Sequence, residues 1–335
     1  MFLFDLTENE ASNLRKLKNK EILITGGSGF IGIWLTHLLL YLNDKLMFNI
    51  TLYLVARNES HEISKIITDR KDITFIKSDI RNLREFPKDV SYIIHTATSP
   101  DNRVYMSNPV ESMDIIANGT KNVMENALLL EKLEAVINLS SGQIYGAINS
   151  HNISEDDFGQ LNSNSIAAIY PEAKRYTETL TNAYRSLHKV PVIQVRPFSF
   201  IGPYMSLDKP WAVNNFIRDA LKFKNIRILG NGKPVRSYMY PTDMAVWILN
   251  ILLHGKVASA YNLGSDVGIS LEEVALKIKD IIGSSVNIEI LNMNNNCSEF
   301  VPNVDHVKRE FGLDITVDMD DTLRKSIDWF GKNSL

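Results

Sequence analysis

Cysteine is almost missing: Cys297 is the single one in 335 residues. Disulfides within the chain are therefore excluded, a cysteine zinc site is disfavoured, and no metal is expected. Neither sign of charge is in surplus, with 36 Lys and Arg against 39 Asp and Glu and a net charge of -3. Binding to nucleic acid or an anionic membrane through the overall field needs a basic excess, so neither is expected as a partner. No apolar run reaches the ~20 residues of a membrane span. Met1-Phe-Leu-Phe-Asp5 is too short and too acidic for a signal peptide, and the expected compartment is the cytoplasm.

The chain does have the makings of a large core, being 44% hydrophobic and 22% charged. A polar, helical lead-in is expected from Glu8 to Lys18. Short apolar runs follow at Glu21-Ile-Leu-Ile-Thr25, Ile50 to Val55, Ile73 to Ile76, Tyr92 to His95, Ala135 to Leu139 and Val192 to Val195. Runs of that length read as fully buried strands. Helix-length segments separate most of them, and such alternation predicts an α/β fold with a doubly wound parallel sheet. Beyond Pro203 the rhythm breaks. Helices are expected from Phe216 to Lys222, Asp243 to Leu253 and Leu271 to Ile282, with a strand from Ile226 to Leu229, a turn at Asn231-Gly232 and a polar loop from Asn292 to Asn296. This division predicts a dinucleotide-binding domain over residues 1–200, extended by about 236–265, and a smaller, discontinuous C-terminal α/β substrate lobe over 201–335.

Thr25-Gly-Gly-Ser-Gly-Phe-Ile-Gly32 ends the first strand and opens the helix expected from Ile31 to Tyr41. Gly26 and Gly27 permit a tight turn, Gly29 lets backbone approach a pyrophosphate, and Gly32 lets helix pack on strand. The pyrophosphate would then rest on the helix N-terminus, at Phe30 and Ile31. The fold expected is the Rossmann type. An NAD site would place Asp or Glu after the second strand, yet Val55 is followed by Ala56-Arg57-Asn58. Arg57 suits the 2'-phosphate of NADP, so NADPH is the expected cofactor, with NAD as the alternative. Asp79, with Ile80 beside it, follows the third strand and could hold the adenine.

Tyr170 and Lys174 stand four residues apart, which puts phenol and ammonium on one helix face. The positive charge is expected to favour the phenolate and bring the tyrosine toward neutral-pH proton exchange. Ser141 follows the strand ending at Leu139, at the carboxyl edge of the sheet where open α/β proteins bind ligands.

Glycine turn, strand-borne serine and Tyr/Lys pair, in that order, resemble the extended short-chain dehydrogenase/reductase family in its nucleotide-sugar branch. The resemblance spans nearly the whole chain. It includes His95-Thr-Ala-Thr98, Asn118-Gly-Thr120 expected to open a helix, Arg196-Pro-Phe-Ser-Phe-Ile-Gly-Pro203, Gly230 to Arg236, Tyr240-Pro-Thr-Asp243 and Tyr261-Asn-Leu-Gly264. It implies Tyr170 as acid or base, Lys174 as its electrostatic partner and holder of the nicotinamide ribose, and Ser141 as orienter of the sugar oxygen. Thr96 and Ala97 would border the cofactor; Thr98 and Gln143 would border the substrate. Arg236 resembles the arginine that grips the substrate's diphosphate, and Asn215 the asparagine on the same group. A homodimer is implied too, through helices near Val110 to Leu130 and Ala168 to Leu187, where Val123, Leu128, Leu129 and Leu180 could face either core or partner.

Three departures narrow the chemistry. Dehydratases and decarboxylases of the family carry an acidic residue where this chain has Gln143, and an amide cannot exchange the proton those reactions need. Ser199 replaces the usual Asn of Arg-Pro-Phe-Asn. Arg57 replaces an acidic residue, and NADP users of the family act as net reductases. The resemblance therefore points to NADPH-dependent reduction of the C4 ketone of a nucleotide-linked 4-keto-6-deoxyhexose, as in making fucose, abequose or paratose donors for cell-surface polysaccharide. The alternatives are a nucleotide-sugar 4-epimerase with tightly bound NAD and a catalytically silent NADP-sensing regulator.

Overall fold

The computed structural model describes residues 4–148, 152–283, 286–292 and 297–333. Met1 to Leu3 and most of the expected polar loop, Met293 to Asn296, lie outside the described residues. In chain order the strands are β1 (Glu21–Thr25), β2 (Thr51–Ala56), β3 (Ile73–Lys77), β4 (Val90–His95), β5 (Ala135–Leu139), β6 (Val192–Pro197), β7 (Ser199–Phe200), β8 (Ile226–Ile228), β9 (Val235–Met239), β10 (Ala260–Leu263), β11 (Gly268–Ser270), β12 (Ile288–Ile290) and β13 (Glu299–Phe300). The helices are α1 (Glu8–Asn13), α2 (Phe30–Leu46), α3 (His61–Ile67), α4 (Asn102–Ser107), α5 (Pro109–Ala127), α6 (Ile169–His188), α7 (Ala212–Leu221), α8 (Pro241–His254), α9 (Leu271–Ile282), α10 (Asp305–Phe311) and α11 (Met319–Asn333).

Two compact units emerge. The first comprises 1–147, 159–197 and 245–261, and the second 148–158, 198–244 and 262–335. The boundary thus falls at Pro197, and residues 148–158 belong with the second unit.

The first unit is built on a seven-stranded sheet in the order β10-β6-β5-β4-β1-β2-β3, and the ladders from β6 to β3 are parallel. All residues of β4 and β5 are buried, as strands covered on both faces must be. After β3 the chain returns to the other side of β1, so the strand order reverses between β1 and β4. That reversal opens a crevice at the carboxyl ends of the strands, and there Thr25 lies opposite His95. The helix α2 is apolar nearly all round, with Trp34, Leu35, Leu38, Leu39 and Leu42 fully buried, as a helix covered on all sides requires. Pro109 at the first turn starts α5 early, so Asn118-Gly-Thr120 lies inside that helix rather than at its head. Gly119 is needed there because a Cβ would lie 2.9 Å from Ile80 Cγ2.

In the second unit α7, α9 and α11 bury Val213, Phe216, Ile217, Val274, Ile278, Leu323, Ile327 and Phe330 as one core. The strand β9 pairs with β7, β11 and β13. A Ser270/Glu273 capping box starts α9 at the expected Leu271. The lead-in is broken: α1 stops at Asn13 and a 3₁₀ turn, Leu14–Leu17, follows. Among the described residues no helix is long and apolar enough to cross a membrane.

Candidate active site

The glycine turn is constrained from every side except one. Gly26 has φ +72°, and both Gly26 and Gly27 donate to the Val55 carbonyl, at 2.8 and 3.2 Å. A Cβ on Gly32 would come within 2.6 Å of the Gly26 carbonyl oxygen and 2.7 Å of Gly27 Cα, so Gly32 packs α2 against the turn itself. At Gly29 a Cβ would meet only the Gly26 carbonyl, at 3.2 Å. Gly29 is also the N-cap of α2 and supplies no side-chain cap. The first amides of a 17-residue helix thus have no side-chain acceptor from their cap, in the arrangement that receives a phosphate.

Arg57 is exposed just past β2. Asp79, expected to be available to adenine, is engaged by Arg81 through Nε at 3.0 Å and NH2 at 2.7 Å. Hydrogen bonds from Arg81 hold the Asp79 carboxyl below its ordinary range, with the Arg57 charge adding to them. The Ile80 side chain sits in the core, and its carbonyl accepts from Asn122 at 2.6 Å.

Between turn and α5 runs a hydrogen-bond chain of fixed polarity. Thr120 donates to the Ile116 carbonyl at 2.7 Å, so its oxygen must accept from His95 Nε2 at 3.1 Å. His95 Nδ1 is then an acceptor for the Thr25 hydroxyl at 2.7 Å, and Thr25 Oγ1 accepts the Thr96 amide at 3.2 Å. Burial pushes the His95 imidazole down to about 3, with the Lys174 charge contributing.

Ser141, Tyr170 and Lys174 are all buried, at 7%, 4% and 3% exposure. Ser141 caps a 3₁₀ turn, Gly142–Tyr145, by accepting from the Gln143 amide at 3.1 Å. Ser141 and Thr98 lie close enough to the Tyr170 hydroxyl to favour its charged form. Lys174 donates to the Leu139 carbonyl at 2.6 Å, and its Nζ lies 5.9 Å from the Tyr170 ring centroid. The expectation of a lysine-lowered phenol is corrected here. Burial pushes Tyr170 up to about 12, against the pull of Ser141 and Thr98. Burial also brings Lys174 down to about 7, partly offset by Glu178. The cation is directed at a backbone carbonyl and is itself desolvated, so burial governs both groups. A phenol between two hydroxyls and beside an ammonium can pass a proton to a developing alkoxide.

Sequence reasoning missed what holds this cluster. Glu178 continues the 170/174 face of α6 and pairs with Arg196 of β6 through Nε at 3.1 Å and NH2 at 2.9 Å. Arg196 NH1 donates to the Tyr145 hydroxyl at 2.9 Å. One turn on, Thr181 accepts from Gln194 at 2.8 Å, and Gln194 accepts from Asn138 at 2.7 Å, fixing α6 against β5 and β6. The four-residue spacing 170/174/178 was a usable signal; Tyr105, stacked on Tyr170, had none. Gln143 is exposed at the head of its turn.

In the second unit Arg236 lies on β9 and donates to Val235 O at 2.7 Å, Ser298 O at 3.1 Å and Ser298 Oγ at 3.1 Å. Among the described residues it has no carboxylate partner, and burial lowers its pKa, Tyr238 partly opposing. Asn215 on α7 donates its amide to the Trp211 carbonyl at 3.0 Å and to Lys209 O at 3.3 Å.

A glycine-headed helix beside the reversal point of a parallel sheet, with a buried hydroxyl–phenol–ammonium group at the neighbouring strand end, defines a Rossmann-type protein of the dinucleotide-binding kind. The chain belongs to the NAD dependent epimerase/dehydratase family, whose profile matches residues 22–264. It is 29% identical to UDP-glucuronic acid decarboxylase 1 of Xenopus tropicalis over 334 residues, which is 95% of this chain and 74% of that protein. Its fold is similar to that of an epimerase of Methanothermobacter thermautotrophicus, with TM-score 0.82, 21% identity and coverage of 98% and 96% of the two chains. It is likewise similar to dTDP-glucose 4,6-dehydratase of Bacillus anthracis, solved in complex with NAD, with TM-score 0.79, 22% identity and coverage of 94% and 97%.

Proposed function

We propose that this protein is an NADP-dependent 4-ketoreductase that converts a nucleotide-linked 4-keto-6-deoxyhexose to the 6-deoxyhexose. The observation that carries the reading is buried Tyr170 on α6, near Ser141 and Thr98 and with Lys174 Nζ 5.9 Å from its ring, facing a loop in which position 143 is an amide. The turn from Gly26 to Gly32 with the amides of Phe30 and Ile31 would hold the cofactor's pyrophosphate and Arg57 its 2'-phosphate, while Asp79, already tied to Arg81, and the backbone at Ile80 would border its adenine. Thr96 and Ala97 would border it, and Tyr170 and Lys174 would meet its nicotinamide ribose. When bound, the dinucleotide supplies the hydride. Tyr170 then protonates the C4 oxygen, Ser141 orients that oxygen, and Lys174 offsets the charge left on the phenol. Arg236 and Asn215 would hold the diphosphate of the substrate.

A second reading, oxidation at C4 with a retained NAD as in an epimerase or decarboxylase, is favoured by the similarity to UDP-glucuronic acid decarboxylases. Gln143 weighs against decarboxylation, since no carboxylate stands there to move a proton, and Arg57 in place of an acidic residue weighs against a retained NAD.

The test is turnover of dTDP-, CDP-, GDP- and UDP-linked 4-keto-6-deoxyhexoses with NADPH and NADH, alongside UDP-glucuronic acid with NAD. Consumption of NADPH by a keto sugar is expected. Carbon dioxide from the uronic acid, or conversion without net cofactor use, would replace the reading with the second. Arg57→Glu should weaken NADPH binding about 10- to 100-fold, the worth of one charge-assisted contact, while NADH binding holds or improves. Equal loss for both cofactors would count against a 2'-phosphate contact.

A further inference from the structure

We propose that Tyr105 is a positioning residue for Tyr170, its stacked ring fixing the plane of the phenol and thereby the direction of the phenolic proton. The inference rests on the reading of Tyr170 as the acid. The two rings lie 5.5 Å apart between centroids with planes inclined by 18°. Both are buried, Tyr105 at 7% exposure, and they pack together with Ile116 and Ala173.

The geometry of a tyrosine makes such a neighbour necessary. Rotation about the Cβ–Cγ bond leaves the hydroxyl oxygen on the rotation axis. The neighbouring Ser141 and Thr98 can therefore fix only where the oxygen lies, and they leave the ring free to turn. The O–H bond and the phenol's lone pairs prefer the ring plane, so an unrestrained ring sprays its proton over a cone. A flat partner against one face removes that freedom, as offset-stacked aromatic pairs do.

The support for Tyr105 is itself built in. It sits in α4, six residues long and too short to persist alone. Asp101, 2% exposed, caps that helix by accepting from the Arg103 amide at 3.1 Å and binds the Arg103 side chain at 3.3 and 3.1 Å. The Asn108 amide closes the other end on Val104 O at 3.0 Å, and Pro109 begins α5 at once.

The experiment uses full-length protein labelled with 3-fluorotyrosine, in wild type, Tyr105→Phe and Tyr105→Leu, with Tyr170→Phe to assign the Tyr170 signal. A ring held in plane gives Tyr170 two resolved fluorine lines, one for each edge carrying the label; a turning ring gives one averaged line. Two lines are expected in wild type and Tyr105→Phe, and one in Tyr105→Leu, with the other tyrosine lines in place as proof of folding. On the keto sugar that turns over, Tyr105→Leu should lower kcat about 10- to 100-fold with the KM for NADPH little changed, and Tyr105→Phe should restore it. Two lines surviving in Tyr105→Leu, one line in wild type, or a phenylalanine variant as impaired as the leucine one would each overturn the proposal. If Tyr170→Phe keeps its turnover, the assignment of the acid fails, and the fluorine lines still decide whether Tyr105 holds the ring.

Discussion

Tyr170→Phe should lower kcat by about 10²–10⁴-fold, the usual worth of a positioned general acid, while NADPH still binds. The substitution removes one oxygen from a buried site and keeps the ring against Tyr105, so the loss would belong to the proton and not to packing. Single-turnover reduction with a saturating keto sugar measures it, and a variant as fast as wild type would remove Tyr170 from the chemistry. The pH dependence sharpens the test. With Lys174 brought down to about 7 and Tyr170 raised to about 12, both are protonated in mild acid. As pH rises through about 7 the lysine loses its charge first, while the phenol keeps its proton. The reductive rate should therefore be level below that point and fall above it, and Lys174→Met should lose this limb.

Arg236→Met should raise the KM for the nucleotide sugar about 10- to 100-fold, from the 1.5–3 kcal/mol of a charge-assisted bond, with a smaller change in kcat. The guanidinium is tied to Val235 and Ser298 and has no carboxylate partner among the described residues. A half-buried cation so placed is solvated by carbonyls and awaits an anion. Its removal breaks no ion pair but loses three hydrogen bonds and the contact with Phe300, so the unfolding midpoint of the free variant is measured first as the control for folding. Adding a nucleoside diphosphate should raise the midpoint in wild type and much less in the variant. Equal shifts in both would place the diphosphate elsewhere. Arg236→Lys should restore little, because a point charge cannot repeat a planar fork.

The parts legible in the sequence were those with a physical repeat or an obligatory residue. Buried parallel strands leave unbroken apolar runs, so β1 and β5 could be bounded from Glu21-Ile-Leu-Ile-Thr25 and Ala135 to Leu139. Glycines at 26, 27 and 32 are forced by sterics and announce the turn. By contrast α4 is one and a half turns long, shows no repeat, and delivers Tyr105 only through tertiary packing. The two pKa directions were hidden for a related reason. Spacing shows which groups are neighbours, whereas the depth of burial that overrides their mutual charge is a property of the whole fold.

The chain from Ile116 through Thr120, His95 and Thr25 to Thr96 makes the cofactor turn indifferent to acidity. Its imidazole, pushed down to about 3 by burial, is neutral at neutral pH, and every hydroxyl along the chain has one direction to point. An inflection near neutrality in a rate profile of this protein is therefore expected from an amine, Lys174, and not from His95.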